Sequence, residues 1–156
     1  DPVEHMHKGL ASEAKPHIGK TITQAEYDGV HSWASTKTDL PLRFQHNDVM
    51  PPNISWNRRN GVLLVDAQFS GFRMKWWDIA YFFLQTYTFF RSPVLAKRVL
   101  RFMLETFAAD GIAKEIVVPL RYRSTLNLAL ASGESAQLAR QLWERTQTED
   151  LEQILS

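Results

Sequence analysis

A short stretch of β-type sequence set inside a helical chain constrains this protein more than any other feature. Two apolar runs, residues 42–45 and 61–65, bracket a loop with Pro51-Pro52 and the polar turn Asn57-Arg58-Arg59-Asn60-Gly61. Asn60-Gly61 is a hairpin signal, because a tight antiparallel turn needs residues that tolerate positive φ. The spacing predicts that Ile54-Ser55-Trp56 pairs with Val62-Leu63-Leu64-Val65. That makes a small antiparallel ribbon ending on Asp66 and holding most of the sheet.

Outside the ribbon the pattern is helical. Thr23-Gln24-Ala25-Glu26 has capping-box form and Tyr27, Val30 and Trp33 follow at helical spacing, which predicts a helix over 24–35. Beyond Asp78 every segment reads as helix. An aromatic-dense run covers 79–90, and a second helix opens at Ser92-Pro93 and stops near Asp110-Gly111. A third runs from Ile112 to Ser132-Gly133, with Pro119 in its first turns or splitting it, and closing helices cover 134–146 and 148–155. The first twenty residues carry Gly9, Pro16 and Gly19 among polar residues without a sustained period. Residues 1–22 are therefore expected to be a linker or loop with at most one short helix. Residues 23–156 are then the globular unit, mainly α with a small β-hairpin. A chain of 156 residues, 44% of them hydrophobic, can bury one sizeable core and is too short for two ordinary domains.

Composition narrows the partners. Eighteen basic residues against 17 acidic leave a net charge of +1 with no block of either sign, so neither nucleic acid nor a membrane is expected as a partner. No apolar run approaches membrane-spanning length. The chain has no cysteine, which removes disulfides and thiolate zinc sites and is compatible with a reducing, cytoplasmic setting. Its first residues lack the order of a signal peptide and an initiator Met, which suggests a processed chain or a fragment.

Chemistry concentrates in His46-Asn47-Asp48-Val49-Met50-Pro51-Pro52-Asn53, with Asp66 thirteen residues further on at the end of an apolar strand. Phosphoryl transfer from ATP needs one carboxylate to orient or deprotonate the acceptor hydroxyl. It also needs an amide oxygen and a second carboxylate to hold the magnesium that bridges the phosphates. A loop with Asp48 and Asn53 at its ends, followed by a hairpin that returns the chain to Asp66, can supply all three.

These residues resemble the aminoglycoside phosphotransferase and choline kinase superfamily, which is related in fold to protein kinases. That family carries a His-Gly-Asp-x-x-x-x-Asn loop, then an apolar strand ending in Asp. Twelve residues later it has Asp-Leu-Ala or Asp-Ile-Ala opening a helix. The corresponding residues here are His46-Asn47-Asp48, Asn53, Val62-Leu63-Leu64-Val65, Asp66, Gly71 and Asp78-Ile79-Ala80, and the interval from Asp66 to Asp78 is twelve. Val65-Asp66-Ala67-Gln68-Phe69 and Asp78-Ile79-Ala80-Tyr81-Phe82-Phe83 look most like the ecdysteroid-kinase-like and choline-kinase-like branches. The motifs cover Gln45 to Phe83, and the later helices fit a helical lobe.

The resemblance implies the C-terminal, catalytic lobe of a kinase-like fold. It implies an ATP- and magnesium-dependent phosphotransferase acting on a hydroxyl of a small molecule. Asp48 would be the catalytic base or hydroxyl-orienting carboxylate, and Asn53 and Asp66 the Mg2+ ligands. His46 would support the loop, while Asp78 would cap its helix and accept hydrogen bonds from the loop backbone. Asn47 stands where the family usually has Gly, Met50-Pro51-Pro52 replaces the common His-Pro-Gly, and Ala67 stands where Trp or Phe is frequent. The 45 residues before His46 supply no Gly-rich turn, strand Lys or helical Glu partner. The chain by itself is therefore expected to be inactive and to need an N-terminal lobe, or another chain, over its cleft.

Other residues have simpler readings. His5 and His7 are expected at the terminal surface. Trp76, Trp77, Tyr81, Phe82, Phe83, Tyr87, Phe89 and Phe90 are expected mostly in the core rather than around a cationic or steroid-like acceptor. Arg121 and Arg123 are expected on a solvated helix face rather than at an anionic substrate group. The alternative function is a non-enzymatic kinase-like module that binds a ligand or another chain through its aromatic-rich helices. A metal-dependent hydrolase using His46, Asp48, Asp66 and Asp78 is a weaker reading, because Asp78 opens an apolar helix and suits a structural role.

Overall fold

A computed structural model describes all 156 residues. The helices are α1 (Pro2–Gly9), α2 (Gln24–Ser35), α3 (Trp77–Thr88), α4 (Pro93–Thr106), α5 (Ile112–Glu115), α6 (Val117–Leu130), α7 (Glu134–Thr146) and α8 (Leu151–Leu155). The strands β1 (Leu42–Gln45), β2 (Ile54–Asn57), β3 (Gly61–Leu64) and β4 (Gly71–Met74) form two antiparallel ribbons, β1 with β4 and β2 with β3. The chain is thus mainly helical with a small β component. No helix is long and apolar enough to cross a membrane.

Several elements begin where local chemistry dictates. The Thr23 hydroxyl accepts from the Glu26 N–H at 3.2 Å while the Glu26 carboxylate accepts from the Thr23 N–H at 2.7 Å, closing the capping box of α2. The β2–β3 register pairs Ile54 with Leu64 and Trp56 with Val62. Its turn is a three-residue loop: Asn57 pairs with Gly61, the Asn57 side chain accepts from the Arg59 and Asn60 N–H groups, and Gly61 takes φ +72°. The β1–β4 ribbon, running from Leu42↔Met74 to Gln45↔Gly71, lies outside the sequence-based expectation. It joins strands separated by the whole hairpin, a long-range pairing that no local pattern announces.

Residues 1–22 are not the linker expected of them. Asp1 caps α1 by accepting from the Val3 N–H at 2.8 Å, a π-helical turn follows over Leu10–Ala14, and a 3-10 turn covers Lys15–His17. Met6, Leu10, Ala14 and Ile22 are buried in one cluster with Val30, Tyr122 and Leu126. The apolar residues recur every four positions, which drifts round an α-helix of 3.6 residues per turn. The wider π turn offsets that drift and keeps Leu10 and Ala14 on the inner face. His7 stacks on His31 with ring centroids 4.1 Å apart, and His5 packs edge-on to Trp77, so both tie α1 to the body of the protein.

Pro119 splits the predicted third helix into α5 and α6 and sits in the first turn of α6, where no intrahelical N–H bond is lost. Most of α6 is buried, which is why it has no clear polar face. Its Tyr122 and Leu126 join the cluster of α1 and α2, while Leu120 joins a second cluster with Phe83, Leu84, Leu100 and Leu142. Among the aromatics of α3 and its flanks, Trp77, Phe83 and Tyr87 are buried, Trp76, Tyr81 and Phe82 half-buried, and Phe89 and Phe90 exposed.

Candidate functional site

The loop from His46 to Asn53 leaves β1 and enters β2, so each ribbon holds one end of it. Its first two N–H groups, from His46 and Asn47, donate to the two carboxylate oxygens of Asp78, each at 2.8 Å. Asp78 lies in the first turn of α3, where the positive helix terminus favours a carboxylate. It does not cap its own helix, because both of its oxygens are taken by the loop. Its N–H donates instead to the Gln45 side chain at 3.2 Å, and Trp76, at φ +68°, precedes the helix. Asn47 takes φ +69°, a conformation Asn adopts more readily than most residues, and its side chain donates to the Phe69 carbonyl at 2.5 Å. His46 contributes through its backbone, since both of its ring nitrogens are buried without a partner.

Asp48 is half-buried and bonded on both oxygens. Asn53 Nδ2 donates to Oδ2 at 2.8 Å and to the Asp48 carbonyl at 2.9 Å, while the Tyr81 hydroxyl donates to Oδ1 at 3.0 Å. The Asn53 carbonyl accepts from the Val65 N–H at 3.0 Å, which extends the ribbon register one step beyond Ile54↔Leu64. Asn53 and Asp66 therefore sit at the same end of the ribbon. Asp66 takes φ +62°, sparsely populated for a side-chain-bearing residue, and its exposed carboxylate accepts no hydrogen bond from the protein.

The donor set suits magnesium. With Asn53 Nδ2 directed to Asp48, its amide oxygen has no protein donor, and neither has the Asp66 carboxylate. Mg2+ is commonly held by one or two carboxylates and completed by phosphate and water oxygens, so one carboxylate and one amide oxygen are sufficient from the protein. No three His, Cys, Asp or Glu side chains gather into a metal cluster. The hydrolase reading loses its support here, because Asp78 is committed to the loop backbone.

Two residues near Asp48 escaped the sequence reading. Tyr81 is three positions after Asp78, and that interval places both on one face of α3, so a helix that offers Asp78 to the loop also offers Tyr81. Burial, partly offset by the Arg123 charge and reinforced by the Asp48 bond, pushes the Tyr81 phenol up to about 12, so it is a donor through the neutral range. Arg123 does not lie on a solvated face: it is 9% exposed, with its guanidinium 4.8 Å from the Tyr81 ring centre and 5.3 Å from that of Trp77. Arg121 is also engaged, donating to Glu149 at 2.8 Å and to Gln147 at 3.1 Å.

The β2–β3 ribbon turns an apolar face towards α3 and α4. Beneath it, a cavity of about 320 Å³ is lined by Val49, Ile54, Leu64, Ile79, Phe82 and Met103, among others. Phe44 and Phe72 of the β1–β4 ribbon, and Trp56 and Val62 at the turn end of the β2–β3 face that also carries Ile54 and Leu64, are each about two-thirds exposed. No family model, curated protein or solved structure matches the chain.

Proposed function

We propose that the chain is the catalytic lobe of an ATP- and magnesium-dependent phosphotransferase that acts on a hydroxyl of a small molecule. Asp48, Asn53 and Asp66 carry this reading: a carboxylate held from two sides, an amide oxygen next to it without a protein donor, and a second carboxylate without one at the same ribbon end as Asn53. Asp48 orients the acceptor hydroxyl and takes its proton as the hydroxyl oxygen bonds to the γ-phosphorus of ATP, while the bond from that phosphorus to the β–γ bridging oxygen breaks and ADP leaves. Asn53 and Asp66 would hold the magnesium, which neutralises charge on the transferring phosphoryl group. Asp78 keeps the loop in shape. A nucleotide-gripping lobe, upstream in the same polypeptide or on another chain, would cover the ribbons, and their exposed Phe44, Trp56, Val62 and Phe72 support such cover.

The test uses the native-length polypeptide with two nearly isosteric substitutions. Asp66→Asn should abolish transfer and shrink the thermal stabilisation given by magnesium nucleotide, and raised magnesium should recover part of the activity. Asp48→Asn should abolish transfer while nucleotide stabilisation persists, because the metal ligands remain. Full activity in both variants would make the motif an accident of spacing. Loss of stability alone in both would favour a non-enzymatic binding module.

A further inference from the structure

We infer that Tyr81 is a positioning residue for Asp48 and that Arg123 holds Tyr81 in place; the inference rests on the role proposed for Asp48. A half-exposed aspartate with one hydrogen-bonded oxygen is free to rotate about its terminal torsion. Asn53 holds Oδ2 at 2.8 Å, but Asn53 belongs to the same loop and is assigned to the metal. The second restraint comes from outside the loop, where the Tyr81 hydroxyl donates to Oδ1 at 3.0 Å. With both oxygens bonded, the carboxylate plane is set, and the hydroxyl proton meets a fixed acceptor.

Tyr81 in turn needs a fixed ring, and α6 supplies the support. The Arg123 guanidinium lies against the Tyr81 and Trp77 rings and donates no hydrogen bond to the protein; its Nε is buried without a partner. Its nearest carboxylate, Glu13, is 3.9 Å away, longer than a close ion pair. The main attachments of this buried group are therefore two aromatic faces, a role for a planar guanidinium that lysine cannot copy. The order Arg123, Tyr81, Asp48 links the most buried helix to the reacting carboxylate. Through Asp78 and Tyr81, one face of α3 sets both the main chain of the loop and the side chain that works in it.

The experiment is a set of variants in the native-length polypeptide: Tyr81→Phe, Arg123→Lys, Asp48→Ala and the double variants. Tyr81→Phe should lower kcat about tenfold or more, with KM for magnesium ATP within about twofold of the parent. Arg123→Lys should give a smaller kcat loss and add little on top of Tyr81→Phe, because both act through Asp48. Unfolding of Tyr81→Phe, Asp48→Ala and their double variant should be non-additive, a readout that needs no activity. Parental kcat in Tyr81→Phe, alongside an inactive Asp48→Asn, would overturn the inference and leave the phosphotransferase reading standing. Strict additivity in unfolding would overturn it as well. A parent without transfer activity would instead remove the role of Asp48, and the positioning role with it.

Discussion

The helices and the ribbons of this molecule are built to different standards. No side chain from Leu42 to Arg73 is buried, whereas α3 and α6 are buried along most of their length. Yet the ribbons and their loop carry Asp48, Asn53 and Asp66. The loop that carries Asp48 sits on the least packed part of the chain and is tied to the most packed part through Asp78 and Tyr81, against which Arg123 packs. A surface loop gains precision this way without a core of its own.

The sharpest test of that contrast removes similar bulk from each region. Phe83, 1% exposed, fills the cluster around Leu84 and Leu100, so Phe83→Ala should cost about 3–5 kcal/mol in urea unfolding. Trp56 is 65% exposed on β2, so Trp56→Ser should cost no more than about 0.5 kcal/mol. A comparable cost for Trp56→Ser in the isolated chain would mean that the ribbon is packed in solution, and the contrast would fall.

The tie between the regions is the next target. Asp78→Ala leaves the His46 and Asn47 N–H groups without their acceptor and should destabilise the chain by about 2–4 kcal/mol. Hydrogen exchange should quicken first at those two amides while α7 keeps its protection. Equal acceleration in α7 would show that Asp78 supports the whole fold rather than the loop.

The smallest effect is electrostatic and belongs to the helical side. Burial pushes the Glu149 carboxyl up, but bonds from Trp33 at 2.6 Å and Arg121 at 2.8 Å, with the charges of Lys37 and Arg121, outweigh it and hold it below its ordinary value. The native state therefore binds fewer protons at this group than the unfolded chain does. The stabilisation is fully present above pH 4.5 and is lost as pH falls through the depressed native value. Glu149→Gln should flatten the acid limb of a stability–pH curve below pH 4.5, and an unchanged limb would remove Glu149 from the account.

Where information is local, the sequence determined the outcome by itself. The Thr23–Glu26 box, the pairing of β2 with β3 and the bounds of α2 and α7 follow from contacts between residues a few positions apart. So does the tolerance of Asn47 for positive φ, a property of one side chain. The twelve-residue interval from Asp66 to Asp78 drew notice only through the family resemblance, since no local rule sets the distance between those two carboxylates. Tertiary structure alone decided the rest. Residues 1–22 look like loop by average polarity, and only burial against α2 and α6 picks out Met6, Leu10 and Ala14 as an inner face. The β1–β4 pairing closes across the whole hairpin, so no window of sequence contains both partners. Arg123 reads as a surface charge, and it becomes a support for Tyr81 because α6 is surrounded by other helices and leaves its guanidinium chiefly aromatic faces to meet. Local rules state what a residue tolerates; which neighbours it receives depends on how distant segments pack.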